Sequence, residues 1–427
     1  MHSAKKAFST FSKTTKAERI NYLEKLHDAV MNRVEEITAA TIEEYGAPVQ
    51  RAIWSNRIAA DSFLHFKTVL ENFEFEKIVG KSNVILEPVG VTAILTSWNA
   101  NAGSICVKLA AAIAAGCTAI IKPSELSAWQ TQILAEAFHE AGLPNGVINI
   151  VNGRGEIVGK ELSRNKDVVK VAFTGSTNVG KIVAREAIET MKRVTLELSG
   201  KSPNIILNDA DFSVAIPQAV SFAFMNNGQA CIAGSRLLVP EERLAEVKEL
   251  IIRAVKKIVV GDPKDEKTTL GPIVSKKQYE QVEKYIRAGI DEGAEVIIGG
   301  LGHPEGLEKG NFVKPTVFAG VTNDMKIARE EIFGPVLSIL TFRTEEEAVE
   351  IANDSDYGLL AYVSSSELAH ANRIALLLAA GRVVINAFSH DPYTPFGGFK
   401  QSGIGREGGI FGLEEYLEPK AILVGVI

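Results

Sequence analysis

Apolar residues at Ile20, Leu23, Leu26, Val30, Val34 and Ile37 recur every three or four positions, the stripe of one helix face. Thr15, with Glu18 three positions on, supplies the capping signature of that helix's start. After Gly80 the pattern turns extended, in NVILEPVGVTAILTSW. Val- and Ile-rich runs then follow, TAIIK (118–122), VINIV (147–151) and VVKVAF (168–173), separated by helical stretches over 104–115 and 127–141. The second helical stretch opens with Ser127 and Gln130 at capping-box spacing and stops at Gly142-Leu143-Pro144. Strands that are apolar throughout, alternating with helices, predict a parallel sheet covered on both faces. A second series begins near Ser202: PNIIL, a helix over 212–227, RLLVP, a helix over 241–257, AEVIIGG, VLSILTF, a helix over 344–353 and RVVIN. It predicts a second α/β domain. The terminal GLEEYLEPKAILVGVI reads as a helix end and a strand, with the extended 73–92 segment as its expected partner, from this chain or another subunit.

Composition narrows the function classes. The 427 residues, 46% hydrophobic and 23% charged, suffice for two large cores. A net charge of -6 with no basic block leaves no footprint for nucleic acid or an acidic membrane. Three cysteines, Cys106, Cys117 and Cys231, are too few for a disulfide framework and fit a reducing compartment. The start, MHSAKKAFSTFSK, lacks the apolar core of a signal peptide, and the run from Ile105 to Ile121 is broken by Lys108, Gly116 and Thr118. A cytoplasmic protein is expected. The seven histidines lack ligand spacing, so no metal is expected.

Four segments carry candidate chemistry. Phe173-Thr174-Gly175-Ser176-Thr177-Asn178-Val179-Gly180-Lys181 follows a strand and opens a helix, where free backbone N–H groups favour a phosphate. GSTNVGK approaches the P-loop pattern, but Ile182 stands where a hydroxyl must hold magnesium. A dinucleotide turn and a purely structural turn remain open. Ser97-Trp98-Asn99 and Lys122-Pro123-Ser124-Glu125 each follow a strand, at the end where open sheets bind ligands; a turn or strand cap explains each equally well. Glu197 sits between Leu196 and Leu198, on a solvated or a buried face. Cys106 and Cys117 lie among Ala, Ile and Val as core thiols, whereas Cys231 lies among small and polar residues that suit an open site.

In order along the chain, TSWNA, KPSE, FTGSTNVG, LELSGKSPNI, NNGQACIAGSR, EEIFGPV and PFGGFKQSGIGRE resemble the aldehyde dehydrogenase superfamily. The resemblance runs from the first helix to the last strand. It implies an α/β fold of three parts: a Rossmann-like cofactor domain (1–72, 93–200 and 388–411), an α/β catalytic domain (201–387) and a small β oligomerisation flap (73–92 and 412–427). It implies Cys231 as nucleophile, Asn99 as oxyanion donor with the Cys231 backbone N–H, and Glu197 as general base, with Lys122 in the catalytic set. For the cofactor it implies Gly175, Ser176 and Gly180 at the pyrophosphate turn, and Lys122, Ser124 and Glu125 at the adenine ribose. Glu331 would serve the nicotinamide ribose, with Phe333, Leu198 and Trp98 beside the cofactor. NAD is expected over NADP, because a Glu125 carboxylate repels a 2′-phosphate. The partners implied are a small-molecule aldehyde and copies of the same chain, as homodimer or homotetramer.

Three departures stand out. Ala100-Asn101 replaces an aromatic-Pro pair, which predicts a wider or more polar tunnel. Ser199 replaces the first of two glycines, and the chain is expected to be short at its N-terminus relative to the family. A thiol of ordinary pKa (~8.5) is roughly a few per cent thiolate at pH 7, which is expected to serve the chemistry. A coenzyme A-acylating relative is disfavoured by Glu197, and a non-catalytic homologue by the complete trio. No arginine within the matched motifs marks a charged substrate tail, so a neutral aliphatic or aromatic aldehyde is expected.

Overall fold

The computed structural model describes residues 1–387 and 389–423. Its first sheet has the order Gly403–Ile404, Arg193–Glu197, Lys170–Thr174, Val91–Leu95, Thr118–Lys122, Ile148–Ile150. All neighbours are parallel except Gly403–Ile404, which runs antiparallel to Arg193–Glu197. Val91–Leu95 comes first in the chain yet lies in the middle. The connections therefore leave to either side of it, which opens a crevice beyond its C-terminal end.

The helix Asn101–Ala115 is buried along nearly its whole length. It packs on the helix Val49–Glu71, in one core with Cys106 and Cys117. Gly116 ends it at φ 91°, where a Cβ would meet the Arg19 guanidinium at 2.5 Å. Burial raises the thiol pKa of both core cysteines.

The second sheet has the order Glu295–Ile298, Thr316–Ala319, Val336–Phe342, Arg236–Pro240, Pro203–Ile206, Leu360–Ser364, Arg382–Ile385. Only Glu295–Ile298 is antiparallel to its neighbour. Its two faces carry separate apolar clusters, one with Ile216, Val247 and Ile251, the other with Val282, Ile286 and Phe318. In a third, three-stranded sheet, Ser82–Pro88 lies between Glu76–Val79 and Leu417–Ile422, all antiparallel and all in this chain. The long extended segment is thus divided, with Gly90 at φ 137° between Ser82–Pro88 and Val91–Leu95. Phe388 and the last four residues of the terminal segment 412–427 lie outside the described residues.

Two local expectations are corrected. Ser127 makes no side-chain cap. Glu44 on the neighbouring helix takes the Trp129 and Gln130 N–H groups instead, at 2.6 and 3.0 Å, so a tertiary carboxylate replaces the local cap. The helix expected over 212–227 ends at Phe224, because Asn226, Asn227 and Gly228 all adopt left-handed backbone, at φ 55°, 61° and 70°.

Candidate active site

The strand ends and the left-handed turn meet around one cavity of about 280 Å³ lined by Asn99, Glu197 and Cys231 among others. The turn is fastened from inside. Asn227 donates to the Gly46 and Pro272 carbonyls (2.9 and 3.1 Å) and accepts from the Gly271 N–H (2.7 Å). Gly228 lies so close to Gly334 that a Cβ would reach its carbonyl carbon at 2.2 Å, and Gly200 lies equally close to the Cys231 carbonyl oxygen. Two backbone contacts that only glycine permits therefore set the height of the Cys231 loop.

Asn99 is held on both sides. Its Oδ1 accepts from the Ser97 hydroxyl (2.8 Å), and its Nδ2 donates to the Gln229 carbonyl (3.0 Å), which leaves one amide hydrogen free. Asn226 donates to the Asn99 and Gln229 carbonyls (3.2 and 3.0 Å), and Tyr45 donates to Asn226 (2.8 Å). Of the pair Ala100-Asn101, only Ala100 lines the cavity. Asn101 is buried, donating to Thr131 at 3.0 Å and accepting from Thr96 at 3.3 Å. The departure thus opens space without adding polarity.

Burial, then the Glu331 and Glu197 carboxylates, push the Cys231 thiol up to about 12. This corrects the expected fraction of thiolate: unaided, the thiol keeps its proton at neutral pH. Glu197 is itself only 4% exposed, and neither carboxyl oxygen has a hydrogen-bond partner. Burial holds its pKa well above the ordinary carboxylate range. The Glu407 carboxylate adds to the rise, against the pull of Lys108 and Arg406. Lys108 is 2.6 Å from Glu407 and donates to Thr174 at 2.6 Å.

The other candidates follow the sheet edge away from this cavity. Ser176 caps the helix Thr177–Ile188 by accepting from the Val179 N–H (3.4 Å). Gly180 falls inside that helix, where a Cβ would strike the Leu198 side chain at 2.4 Å. The segment is therefore a strand, a short turn and a helix, not a P-loop. The Ser124 hydroxyl accepts from the Leu126 N–H (3.2 Å). Lys122 donates to the Pro123 carbonyl (2.8 Å) and pairs with Glu125 at 3.2 Å; it does not line the Cys231 cavity. Glu125 also accepts from the Gly155 N–H (2.7 Å). Burial works to raise its pKa, but its backbone bonds and Lys122 outweigh this and hold it below the ordinary carboxylate range.

Glu331 accepts from the Gly200 N–H (3.0 Å) and from Ser199; burial, the larger effect, leaves its pKa raised. The hydroxyl at position 199 also accepts from the Thr177 N–H at 3.4 Å, which ties the helix Thr177–Ile188 to Glu331. Phe333, at φ 57°, and Trp98 meet edge to face with centroids 5.6 Å apart.

The model of the aldehyde dehydrogenase family matches residues 1–422. The chain belongs to that family. A 3-succinoylsemialdehyde-pyridine dehydrogenase of Pseudomonas sp is 47% identical over 99% of this chain and 89% of its own length. A solved structure of a Pseudomonas syringae aldehyde dehydrogenase, a cysteine-to-alanine variant with NAD+ and octanal, is 45% identical. It superposes with TM-score 0.97 over 99% of this chain and 87% of that one. Staphylococcus aureus betaine aldehyde dehydrogenase in complex with NAD+ gives 36% identity and TM-score 0.96, over 99% and 86% of the two chains.

In this aldehyde dehydrogenase the sequence motifs give no role to four charged residues that line the cavity, Arg51, Arg382, Asp391 and Glu407, nor to Lys108 paired with Glu407. For Lys108 there was a signal, the lone charge in an otherwise apolar helix. Glu407 closes a matched motif, but only the fold brings it to Lys108. No helix among the described residues is long and apolar enough to cross a membrane, and no cluster of His, Cys, Asp or Glu there could hold a metal.

Proposed function

We propose that the protein oxidises an aldehyde to its carboxylic acid with NAD, through an intermediate covalently bound to Cys231 and released by water that Glu197 activates. One observation carries this reading: a thiol, a side-chain amide with a free hydrogen and a buried, unpartnered carboxyl line the same cavity. As the Cys231 sulfur adds to the aldehyde carbon, its tightly held proton must go to a base. Glu197, with its raised pKa, suits that transfer near neutrality. The carbonyl oxygen becomes an oxyanion, stabilised by the free Asn99 amide hydrogen and the Cys231 backbone N–H. Bound NAD supplies a hydride acceptor for the carbon attached to sulfur. Once the Glu407–Lys108 pair has relieved Glu197 of the thiol's proton, water attacks the thioester left on Cys231 while Glu197 takes the water's proton, and the sulfur departs as the acid forms. The Glu407–Lys108 pair lies beside Glu197 to carry that proton onward.

The fit to NAD rests on the crevice where the strand order reverses and on the helix start at Ser176. Gly175, Ser176 and Gly180 would hold the pyrophosphate, and Lys122, Ser124 and Glu125 the adenine ribose. Glu331 and Phe333 would hold the nicotinamide end, with Trp98 and Leu198 as walls. The exposed edge strand Glu76–Val79, with Ile78 72% exposed, supports self-association as a homodimer or homotetramer. The test is to mix protein, NAD and a panel of aldehydes, with and without coenzyme A, and follow NADH absorbance. NADH and free acid without coenzyme A are expected. Absence of NADH overturns the reading, and a strict need for coenzyme A replaces it with acyl transfer.

A further inference from the structure

The helix Val49–Glu71 turns Arg51, Trp54, Ile58, Ser62 and His65 toward the cavity, at intervals of three and four residues. Trp54, His390 and Asp391 are exposed lining residues and mark the open side. The Arg51 guanidinium lies 4.4 Å from the Trp54 ring centre. Its Nε is buried without a hydrogen-bond partner, and no carboxylate stands within ion-pair distance of Arg51 among the described residues. Arg382 lines the same cavity. Its Nη2 donates to the Thr394 and Pro395 carbonyls (both 3.0 Å) and the Thr394 hydroxyl (2.9 Å), its Nε has no partner, and it too lacks an ion pair. His65 and His390 add further nitrogen, and the one carboxylate at this end, Asp391, accepts from the Tyr393 N–H at 3.0 Å.

In a chain of net charge -6, two arginines without carboxylate partners facing one cavity are an uncommon concentration of uncompensated positive charge. Between them and Cys231 the lining is apolar, including Ile58, Phe66, Val107, Ile232 and Phe396. We infer that the substrate is an aldehyde bearing a carboxylate at the far end of an apolar chain or ring, and that Arg51 is the specificity-determining residue that receives that carboxylate. The inference rests on the dehydrogenase reading above. It competes with the expectation of a neutral aldehyde, which rested on matched motifs that do not include Arg51. Arg51 also borders a second hollow beside Phe224 and Lys257, the competing use of its charge.

The test compares n-alkanals with ω-oxo acids of equal chain length, and benzaldehyde with 4-formylbenzoate, using the wild type and NAD. The carboxylate-bearing partner is expected to win in kcat/KM by about tenfold or more for at least one pair, since a site built around a charge disfavours the analogue lacking it. Arg51→Gln should collapse that ratio through KM for the oxo acid, and Arg51→Lys should keep part of it. Thermal melts establish that both variants fold. If alkanals are oxidised as well as every oxo acid, or if the ratio survives in Arg51→Gln, the tail assignment is overturned while the dehydrogenase reading stands. If no aldehyde yields NADH, both fall.

Discussion

At the inner end of the cavity, Cys231, Asn99 and Glu197 come from three segments far apart in the chain, each fixed by backbone contacts or by hydrogen bonds to buried partners. At the open end, Arg51, Trp54, Ser62 and His65 share one face of a single helix and hold few partners. The inner end holds two carboxyls, Glu197 and the Lys108-paired Glu407, and the open end two arginines without carboxylate partners, Arg51 and Arg382. The contrast teaches that rigidity serves the reaction, whereas the side chains of one helix face can set selectivity without disturbing it. Substitutions inside should therefore lower kcat, and those outside should shift KM and selectivity.

The largest effect should come from Cys231→Ser. Aldehyde-dependent NADH formation should disappear while NAD still binds, because a hydroxyl lacks the nucleophilicity of sulfur. Appreciable turnover by this variant would remove Cys231 from the chemistry. Asn99→Ala should lower kcat by about 10²–10³, or about 2.7–4 kcal/mol, if its free amide hydrogen meets the oxyanion. A raised KM with kcat intact would instead move Asn99 to the selectivity side.

Glu197→Gln should remove the base for both the Cys231 thiol and the water, so NADH formation should be slow from the first turnover. A burst near one NADH per site before a weak steady state would confine Glu197 to the water step. The pH profile gives a second reading. A carboxyl held well above its usual range is needed as the anion, so the wild-type steady state should fall as pH drops through that raised value. The Gln variant should lose this dependence. A wild-type profile flat down to the ordinary carboxylate range would contradict the role.

The smallest effect belongs to the cofactor edge. Glu125, held by Lys122 and the Gly155 N–H, should favour NAD over NADP by about tenfold in kcat/KM through charge repulsion. Glu125→Ser should narrow that gap through NADP binding. Equal use of both cofactors by the wild type would leave Glu125 as a loop anchor only.

The sequence was most legible where one short segment carries both the strand and the residue that follows it. TAIIK, RLLVP and VLSILTF keep their limits as strands, and the family motifs bring Asn99, Glu197 and Cys231 to one cavity. It was least legible where a partner distant in the chain decides. Glu44 replaces the cap expected from Ser127, and the left-handed Asn226–Gly228 turn, fastened by partners at Gly46, Gly271 and Pro272, ends the helix at Phe224, short of the expected 227. The strands Thr316–Ala319 and Leu360–Ser364, four and five residues long, show no helical or alternating period and were not anticipated. Arg51 lies outside every matched motif, and only folding turns it into a cavity wall.

The left-handed turn has a consequence for chemical ageing. Asn227-Gly228 is the dipeptide that deamidates most readily in loose chain, since glycine leaves its amide nitrogen free to attack the asparagine side chain. Here Asn227 is fully buried, its amide is committed to three backbone partners, and its rotation is blocked. Of the three Asn-Gly pairs, Asn145 and Asn152 are exposed, and the native state thus buries the one four residues from Cys231. Stored folded protein should hold that asparagine intact, and peptide mapping after mild heating should find isoaspartate at position 227 only in the fraction that has opened.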